Sequence, residues 1–242
     1  MEPLVPPPRT GRAHRSGRRI RLADRDARGR LRLDAVARYL QDAATDDVDE
    51  TGWGAPEHLW VVRSMCIDVV APPVEDDRVE LVTWCSGTGT VAAGRRLSLR
   101  GDRGGQVEAN SVWIHLDPDA RPARIEEFEV YAEAAEGRVV STRLELEEPR
   151  ANDGVKTPWP VRIADLDVMG HVNNAAYWQA VEECLGLSAV DLSRPLRARL
   201  DYRHPLDLGD EVELVAHEHA GALTIAFSVG AARAVARVEE LT

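Results

Sequence analysis

The sequence predicts an α+β fold in which two copies of one unit, each a helix wrapped by an antiparallel sheet, lie side by side. Two observations carry this prediction. A block of residues near the N-terminus recurs in the second half of the chain, and each block is followed by a helical pattern and then by strand patterns. At 242 residues the chain has room for two units of about 100 residues each.

The first repeated block reads φ-R-φ-A-D-x-D-x-x-G, where φ is a β-branched residue or leucine. It occupies residues 20–29 and recurs at 161–170. A second block, D-x-x-x-P followed by D-x-V-E-L-V, starts at Asp68 and recurs at Asp201. The two blocks stand further apart in the first copy, which therefore carries eight extra residues between its helix and its next strand. Two blocks in the same order indicate a duplication.

Each copy is predicted to contain a short strand, a turn, a helix and an antiparallel meander. The short strands are expected at 19–22 and 161–163, directly before the D-x-D-x-x-G turn. Apolar residues then recur at i, i+3 and i+4, and Gly52 and Gly186 stand where the helices should end. Period-two alternation predicts these further strands: 78–84, 94–100, 108–116, 197–203, 211–217, 223–229 and 232–238. A sheet that wraps one long helix is the hotdog arrangement, so the prediction is a tandem (double) hotdog with one continuous sheet.

The patterns divide the chain into four regions. Residues 1–17 are rich in arginine and proline and are predicted to form a disordered tail. The two hotdog units are expected at 18–125 and 159–242. The acid-rich residues 126–158 are predicted to form an extended linker.

Charge and composition narrow the possible partners. The net charge is -11, yet the first 40 residues carry 11 arginines against four acids, which leaves a charge of -18 beyond them. This asymmetry argues against nucleic-acid binding by the folded body, and it leaves a solvated basic tail or a local basic face for an acidic partner. No apolar run approaches the length of about 18 residues that a membrane span needs. Three widely spaced cysteines predict no disulfide and favour the cytoplasm.

The two copies diverge directly after the repeated glycine, and this difference indicates a site. The second copy continues with H-V-N-N-A-A-Y from His171, whereas the first continues with R-L-R-L-D-A-V from Arg30. Asn173 and Asn174 are good helix-capping residues, so a helix should begin there, with free N–H groups close to Asp167. Thioester hydrolysis needs this combination, because the N–H groups stabilise an oxyanion while the carboxylate attacks or deprotonates a water.

Each part of this string also has an ordinary structural explanation. A D-x-D pair is commonly a turn feature, and a single histidine is commonly structural. A metal site is also conceivable, but the spacing lacks a further ligand cluster, so neither a metal nor a cofactor is predicted. Cys184 lies on the apolar face of the helix and is expected in the core. In the first copy, Asp26 and Gly29 either preserve the turn or mark a residual second site.

The string from Asp165 to Tyr177 resembles the D-x-D-x-x-G-H-V-N-N-x-x-Y motif of hotdog thioesterases of the 4-hydroxybenzoyl-CoA thioesterase type. From about Arg18 onward the chain is similar to the fatty acyl-acyl-carrier-protein (acyl-ACP) thioesterases. Segments that support this similarity include 40–43, 59–62, 94–96, 109–114 and 200–203. The resemblance implies cytoplasmic hydrolysis of fatty acyl-ACP to free fatty acid and ACP, with the acyl chain bound by the first unit and the chemistry in the second.

The chain departs from the plant acyl-ACP pattern at two places. Met169 stands where the plant enzymes have an asparagine, and Pro205 and Leu206 stand where they have a glutamate-cysteine pair. The resemblance to the 4-hydroxybenzoyl-CoA type therefore implies a simpler mechanism, in which cysteine takes no part.

In that mechanism Asp167 is the base or nucleophile, and the main-chain N–H of Asn174 is the oxyanion donor. His171 and Asn173 would orient the water or the carboxylate.

Five further residues are expected to contact the substrate. Tyr177, Trp178 and Trp60 are candidates for the acyl chain, and Arg95 and Arg96 for an acidic carrier protein. Two alternatives remain open, namely an acyl-CoA thioesterase of the same mechanism and a non-hydrolytic acyl-binding protein. The protein is expected to be a monomer or a homodimer.

Overall fold

The computed structural model describes residues 4–52, 59–74, 77–126, 128–149 and 154–241. Within these residues the chain forms a ten-stranded antiparallel sheet and two long helices. The strands are β1 (Ala13–Arg19), β2 (Leu59–Ala71), β3 (Arg78–Thr88), β4 (Ala92–Gly101), β5 (Gln106–Leu116), β6 (Val155–Pro160), β7 (Leu196–Tyr202), β8 (Glu211–His219), β9 (Ala222–Val229) and β10 (Ala231–Glu240). The helices are α1 (Leu33–Thr51), the short α2 (Glu129–Ala132) and α3 (Asn174–Leu187).

The strand order reproduces the duplication that the sequence predicts. Across the sheet it is β1-β3-β4-β5-β2-β7-β10-β9-β8-β6. Read inward from the two edges, β1 to β5 and β6 to β10 follow the same order. The two units meet where β2 pairs with β7, so the sheet is continuous. The double hotdog prediction is confirmed.

The pairing of β2 with β7 obeys a local two-fold axis. When the second repeated blocks are aligned, Asp68 corresponds to Asp201 and Ser64 to Arg197. The register pairs Asp68 with Arg197 and Ser64 with Asp201, so exchanging the two copies returns the same two pairs. The axis therefore passes between the central strands and relates one unit to the other.

The long helices pack against each other and against the inner face of the sheet. Residues from both helices and from strands of both units form one apolar core, in which Leu40 and Trp178 are fully buried. Gly52 ends α1 in a left-handed conformation (φ 65°), as predicted. Gly186 does not end α3, which continues to Leu187, and Ser188 is the cap, with its N–H donating to the Leu185 carbonyl.

The predicted strands at 19–22 and 161–163 are wrong in position. The strands end earlier, at Arg19 and Pro160, and 3₁₀ turns follow at Leu22–Asp24 and Ile163–Asp165. Each turn closes because its aspartate accepts a hydrogen bond from the main-chain N–H three residues earlier, at 2.9 Å in both copies.

The alternation pattern did not predict the central strand β2. It carries a bulge between Val62 and Ser64, which shifts the side chains on either side of it to opposite faces. The alternation along β2 is therefore interrupted.

The N-terminal segment is ordered where the structure describes it, which corrects the prediction of a disordered tail over 1–17. Residues 13–17 belong to β1, which pairs with β3 at the sheet edge. Just before the strand, Arg12 Nε lies 2.5 Å from the buried carboxylate of Asp47 in α1. Further along the strand, Arg15 and Arg18 form ion pairs with acids of the folded body. The basic segment thus neutralises acidic groups of its own chain.

The connecting segment also differs from an extended linker. It contains α2, whose Tyr131 is 1% exposed and packs in a cluster with Trp84 and Cys85 of β3. Further along, the N–H groups of Glu145 and Leu146 donate to Asp201 Oδ2 of β7 at 2.8 and 2.9 Å. The segment therefore packs along the sheet before β6 begins at residue 155. No helix in the described parts of the chain is both long and apolar enough to cross a membrane.

Candidate active site

The D-x-D-x-x-G turn is closed by its own main chain. The N–H of Asp167 donates to the His171 carbonyl at 2.8 Å, and the Asp167 carbonyl accepts from the Gly170 N–H at 3.0 Å. Gly170 has φ 82°, a left-handed conformation that glycine adopts without strain. The motif thus folds locally and holds Asp167 in the turn that leads into α3.

The two aspartates of the motif have different roles. Asp165 is 4% exposed and receives hydrogen bonds from Arg162 Nε and from the Arg162 N–H, both at 2.9 Å. Burial alone would raise the pKa of Asp165, but the hydrogen bonds from Arg162 outweigh it and lower this pKa below its ordinary value. Asp165 is therefore a structural anion that closes the 3₁₀ turn.

Asp167 is held at one carboxylate oxygen. Its Oδ1 accepts the Met169 N–H at 2.8 Å and the His171 N–H at 3.4 Å. Among the described residues no donor reaches Oδ2. The carboxylate is thus oriented by the turn and is left with a free oxygen.

Helix α3 begins as the sequence predicts. The side-chain oxygen of Asn173 accepts the Ala175 N–H at 2.8 Å, and Asn174 is the first helical residue. Asn173 is therefore the cap, and its side-chain oxygen is already engaged. Within the described part of the chain the Asn174 N–H has no acceptor, and the buried Oδ1 of Asn174 has no hydrogen-bond partner.

His171 pairs with an aspartate that the sequence analysis missed. Its Nδ1 lies 2.5 Å from Asp207 Oδ1, and the two residues also form a β-bridge. The main-chain N–H of Asp207 donates to Asp210 Oδ2 at 2.9 Å, which fixes the position of Asp207. Because a carboxylate accepts from Nδ1–H, the pair leaves the lone pair of neutral His171 on Nε2. Asp207 directly follows Leu206, which stands at a catalytic position of the plant enzymes. Its place next to that position was the sequence signal that could have identified Asp207.

Within the described residues, no cysteine forms a hydrogen bond to the D-x-D-x-x-G turn or to the start of α3. Leu206 is fully buried, and its carbonyl accepts the Val172 N–H at 2.8 Å, which ties the segment after β7 to the start of α3. Burial raises the pKa of Cys66 to about 12 and that of Cys184 to about 11, and it also raises the pKa of Cys85. All three thiols are therefore protonated at neutral pH.

Tyr177 and Trp178 lie in the core. Tyr177 is 3% exposed, and its ring contacts Trp159, Tyr202 and Phe227 at centroid distances of 5.9, 5.2 and 5.2 Å. Burial raises the pKa of Tyr177 above its ordinary value. The expected contact of these two residues with an acyl chain stays a prediction.

Trp60 belongs to an aromatic group of the first unit. Its ring lies 5.2 Å from that of His115 and 6.4 Å from that of Phe128, which starts the connecting segment. None of these contacts involves the D-x-D-x-x-G turn of the second copy, and a role of Trp60 in substrate binding also stays a prediction.

Arg95 and Arg96 do not form an exposed basic face, so this expectation is wrong. Arg96 is 2% exposed, and it bonds Glu108 Oε2 and the Val5 carbonyl, both at 2.8 Å. Arg95 Nη1 points to the buried Asp47 Oδ2 at 2.7 Å. Neighbouring strand residues face opposite sides of a sheet, and here both sides are covered, one by α1 and the other by the N-terminal segment.

The first copy retains the same turn, but its carboxylate and its first helical N–H already have hydrogen-bond partners. Asp26 Oδ1 accepts the N–H groups of Arg28 and Arg30 at 2.9 Å, and Oδ2 accepts Arg30 Nε at 3.1 Å. Arg30 Nη2 also reaches Glu182 Oε2 at 2.5 Å, and Glu182 Oε1 accepts the Leu33 N–H at 2.6 Å. Both oxygens of Asp26 and the first N–H of α1 are thus occupied, so turn geometry accounts for the retained aspartate.

Over the described ranges, no group of three or more His, Cys, Asp or Glu side chains is arranged to hold a metal ion.

Known proteins match nearly the whole chain. The family profile of the acyl-ACP thioesterase N-terminal domain matches residues 11–133, and that of the C-terminal domain matches residues 148–235. An uncharacterized protein of Mycobacterium tuberculosis is 31% identical over 230 residues, which cover 94% of this chain and 91% of that protein. The oleoyl-acyl carrier protein thioesterase 2 of Arabidopsis thaliana is 27% identical over 206 residues, 75% of this chain and 56% of that protein.

Solved structures share the fold. An acyl-ACP thioesterase from Bacteroides thetaiotaomicron superposes with a TM-score of 0.79 at 19% identity, covering 94% of this chain and 97% of that one. The 12:0-ACP thioesterase from Umbellularia californica has a TM-score of 0.77 at 19% identity, covering 94% and 96%. With two profiles that together match well over half of its residues, the chain belongs to the acyl-ACP thioesterase family.

Proposed function

We propose that the protein hydrolyses fatty acyl-ACP to a free fatty acid and ACP. One observation carries the proposal. In the second copy, Asp167 has a carboxylate oxygen that no described donor reaches, and it lies in the turn that leads into a helix start whose Asn174 N–H has no acceptor among the described residues. The equivalent groups of the first copy are occupied by Arg30 and Glu182.

The proposed reaction follows from these groups. The thioester carbonyl oxygen lies at the N-terminus of α3, where the Asn174 N–H stabilises the negative charge that develops on it. Asp167 takes a proton from water as the water oxygen bonds to the thioester carbon. The C–S bond then breaks, and the departing sulfur receives the proton to give the ACP thiol. His171, oriented by Asp207, holds the water through Nε2.

A variant of this mechanism has Asp167 itself attack the carbon, and water then hydrolyses the resulting anhydride. A single turnover in oxygen-18 water can reveal direct attack. Label in the Asp167 carboxylate establishes the anhydride, opened by water at the Asp167 carbon, because base catalysis places the label only in the fatty acid.

The choice of ACP as carrier rests on family membership and on the relatives that act on acyl-ACP by their names. The remaining observations favour acyl-CoA as a second candidate, because Arg95 and Arg96 are engaged within the chain and offer no docking face. In either case we propose that the first unit holds the acyl chain and that the protein acts in the cytoplasm.

A panel of acyl-ACP and acyl-CoA substrates with chains of about eight to eighteen carbons tests the function, with thiol release as the readout. We expect a higher kcat/KM with acyl-ACP. A higher value with acyl-CoA would assign the second candidate. Tight acyl binding without thiol release would leave a non-hydrolytic acyl-binding protein.

A further inference from the structure

The repeat that underlies the β2–β7 pairing also aligns the two long helices. When the first repeated blocks are aligned and the alignment is continued without gaps, Leu33 at the start of α1 corresponds to Asn174 at the start of α3. In the same alignment Gln41 of α1 corresponds to Glu182 of α3. Glu182 crosses from α3 to the start of α1, where its Oε1 accepts the Leu33 N–H at 2.6 Å. If the helices follow the same symmetry as the central strands, Gln41 of α1 corresponds to a place at the start of α3, opposite the Asn174 N–H.

The groups at this second position lack the partners that their counterparts have. Glu182 is bonded to Arg30 and to the Leu33 N–H. Over the described parts of the chain, the half-buried Gln41 side chain forms no hydrogen bond, and the Asn174 N–H has no acceptor. The buried Oδ1 of Asn174 is also unpartnered. By the symmetry of the repeat, an unpaired carboxamide and an unpaired main-chain donor are predicted to meet at the helix end at which the thioester is proposed to react.

We propose that Gln41 is the second oxyanion donor of the active site, so that the first copy supplies a catalytic residue to the second. This inference rests on the proposed function. The Glu182 oxygen on the Leu33 N–H marks where a negatively charged oxygen sits at such a helix start. In the second copy that place belongs to the substrate carbonyl oxygen, with the Asn174 N–H on one side and the Gln41 side-chain N–H on the other.

The residue type supports this role. A carboxylate at position 41 would take the Asn174 N–H for itself, as Glu182 takes the Leu33 N–H, and it would repel the oxyanion. A carboxamide has nearly the same shape but donates hydrogen bonds. Glutamine can thus donate a hydrogen bond to an anionic transition state, whereas a glutamate at the equivalent place can only accept one.

Three variants test the proposal. In Gln41→Ala we expect kcat to fall on the order of 100-fold, with KM and melting temperature little changed, because a transition-state donor is lost while no protein contact is broken. In Gln41→Glu we expect an even lower kcat and a melting temperature raised by about 2–4 °C, because the new carboxylate caps α3. The neighbouring exposed residue supplies the control, and Asp42→Asn should keep the wild-type rate.

The outcomes separate this inference from the proposed function. Wild-type kinetics in Gln41→Ala, in an enzyme that needs Asp167, would overturn the role of Gln41 and leave the function intact. An inactive wild-type protein would overturn the function. If the wild-type protein is inactive, the position of Gln41 can still be tested by measuring hydrogen exchange of the Asn174 main-chain N–H in Gln41→Glu. Slower exchange than in the wild type supports it, and unchanged exchange rejects it.

Discussion

The replacement Asp167→Asn separates the charge of the carboxylate from its role in the turn. Asparagine retains a side-chain oxygen that accepts the Met169 N–H, which lies 2.8 Å from Asp167 Oδ1. The left-handed Gly170 and the main-chain bonds that close the turn are unaffected. The variant should therefore fold with nearly wild-type stability, while the free oxygen is replaced by an amide that neither removes a proton nor attacks a carbon.

The size of the effect follows from the role that is removed. General-base catalysis by a positioned side chain contributes about 100-fold to 10,000-fold. This corresponds to about 2.7–5.4 kcal/mol of transition-state stabilisation. Because the carboxylate has no partner at Oδ2 in the described residues, the loss should appear in kcat, with the KM for the acyl substrate little changed.

The equivalent change in the first copy, Asp26→Asn, is the matched control. Asp26 is bonded to Arg30 at Oδ2, so this variant weakens an ion pair that is largely buried and should cost about 1–3 kcal/mol of stability. Its kcat should stay close to that of the wild type. Thiol release from the best substrate measures kcat, and urea denaturation measures stability. An Asp167→Asn protein that is folded and hydrolyses at nearly the wild-type rate would refute the assignment.

Three other predictions address the surroundings of the site. Asp207→Asn removes the carboxylate that fixes the His171 ring, so kcat/KM should fall on the order of 100-fold. The fold should be retained because Asp207 is exposed. An unchanged rate would show that His171 and Asp207 form only a surface ion pair. Iodoacetamide applied to the native protein should leave the rate intact, because the three thiols are protonated; inactivation that substrate prevents would contradict this. Arg96→Glu should lower the free energy of unfolding by about 3–5 kcal/mol in urea denaturation, because it leaves Glu108 facing a second buried carboxylate. Unchanged stability, together with a loss of kcat/KM limited to acyl-ACP, would instead indicate that Arg96 contacts the carrier protein.

Much of the fold and of the D-x-D-x-x-G turn was predictable, because the relevant interactions are local. The D-x-D-x-x-G string closes a turn within five residues, and Asn173 caps the helix through an N–H two residues away. Such bonds depend on residue type and spacing alone. The duplication predicted the two paired units and their continuous sheet.

The remaining features depend on which distant segments the folded chain brings together. His171 meets Asp207 across 36 residues, and Arg30 meets Glu182 across 152. Alternation along β4 places Arg95 and Arg96 on opposite faces, but only the packed chain shows that both faces are covered. Strand pairing and long-range ion pairs are formed between residues far apart in the chain, so no pattern within a short window specifies them.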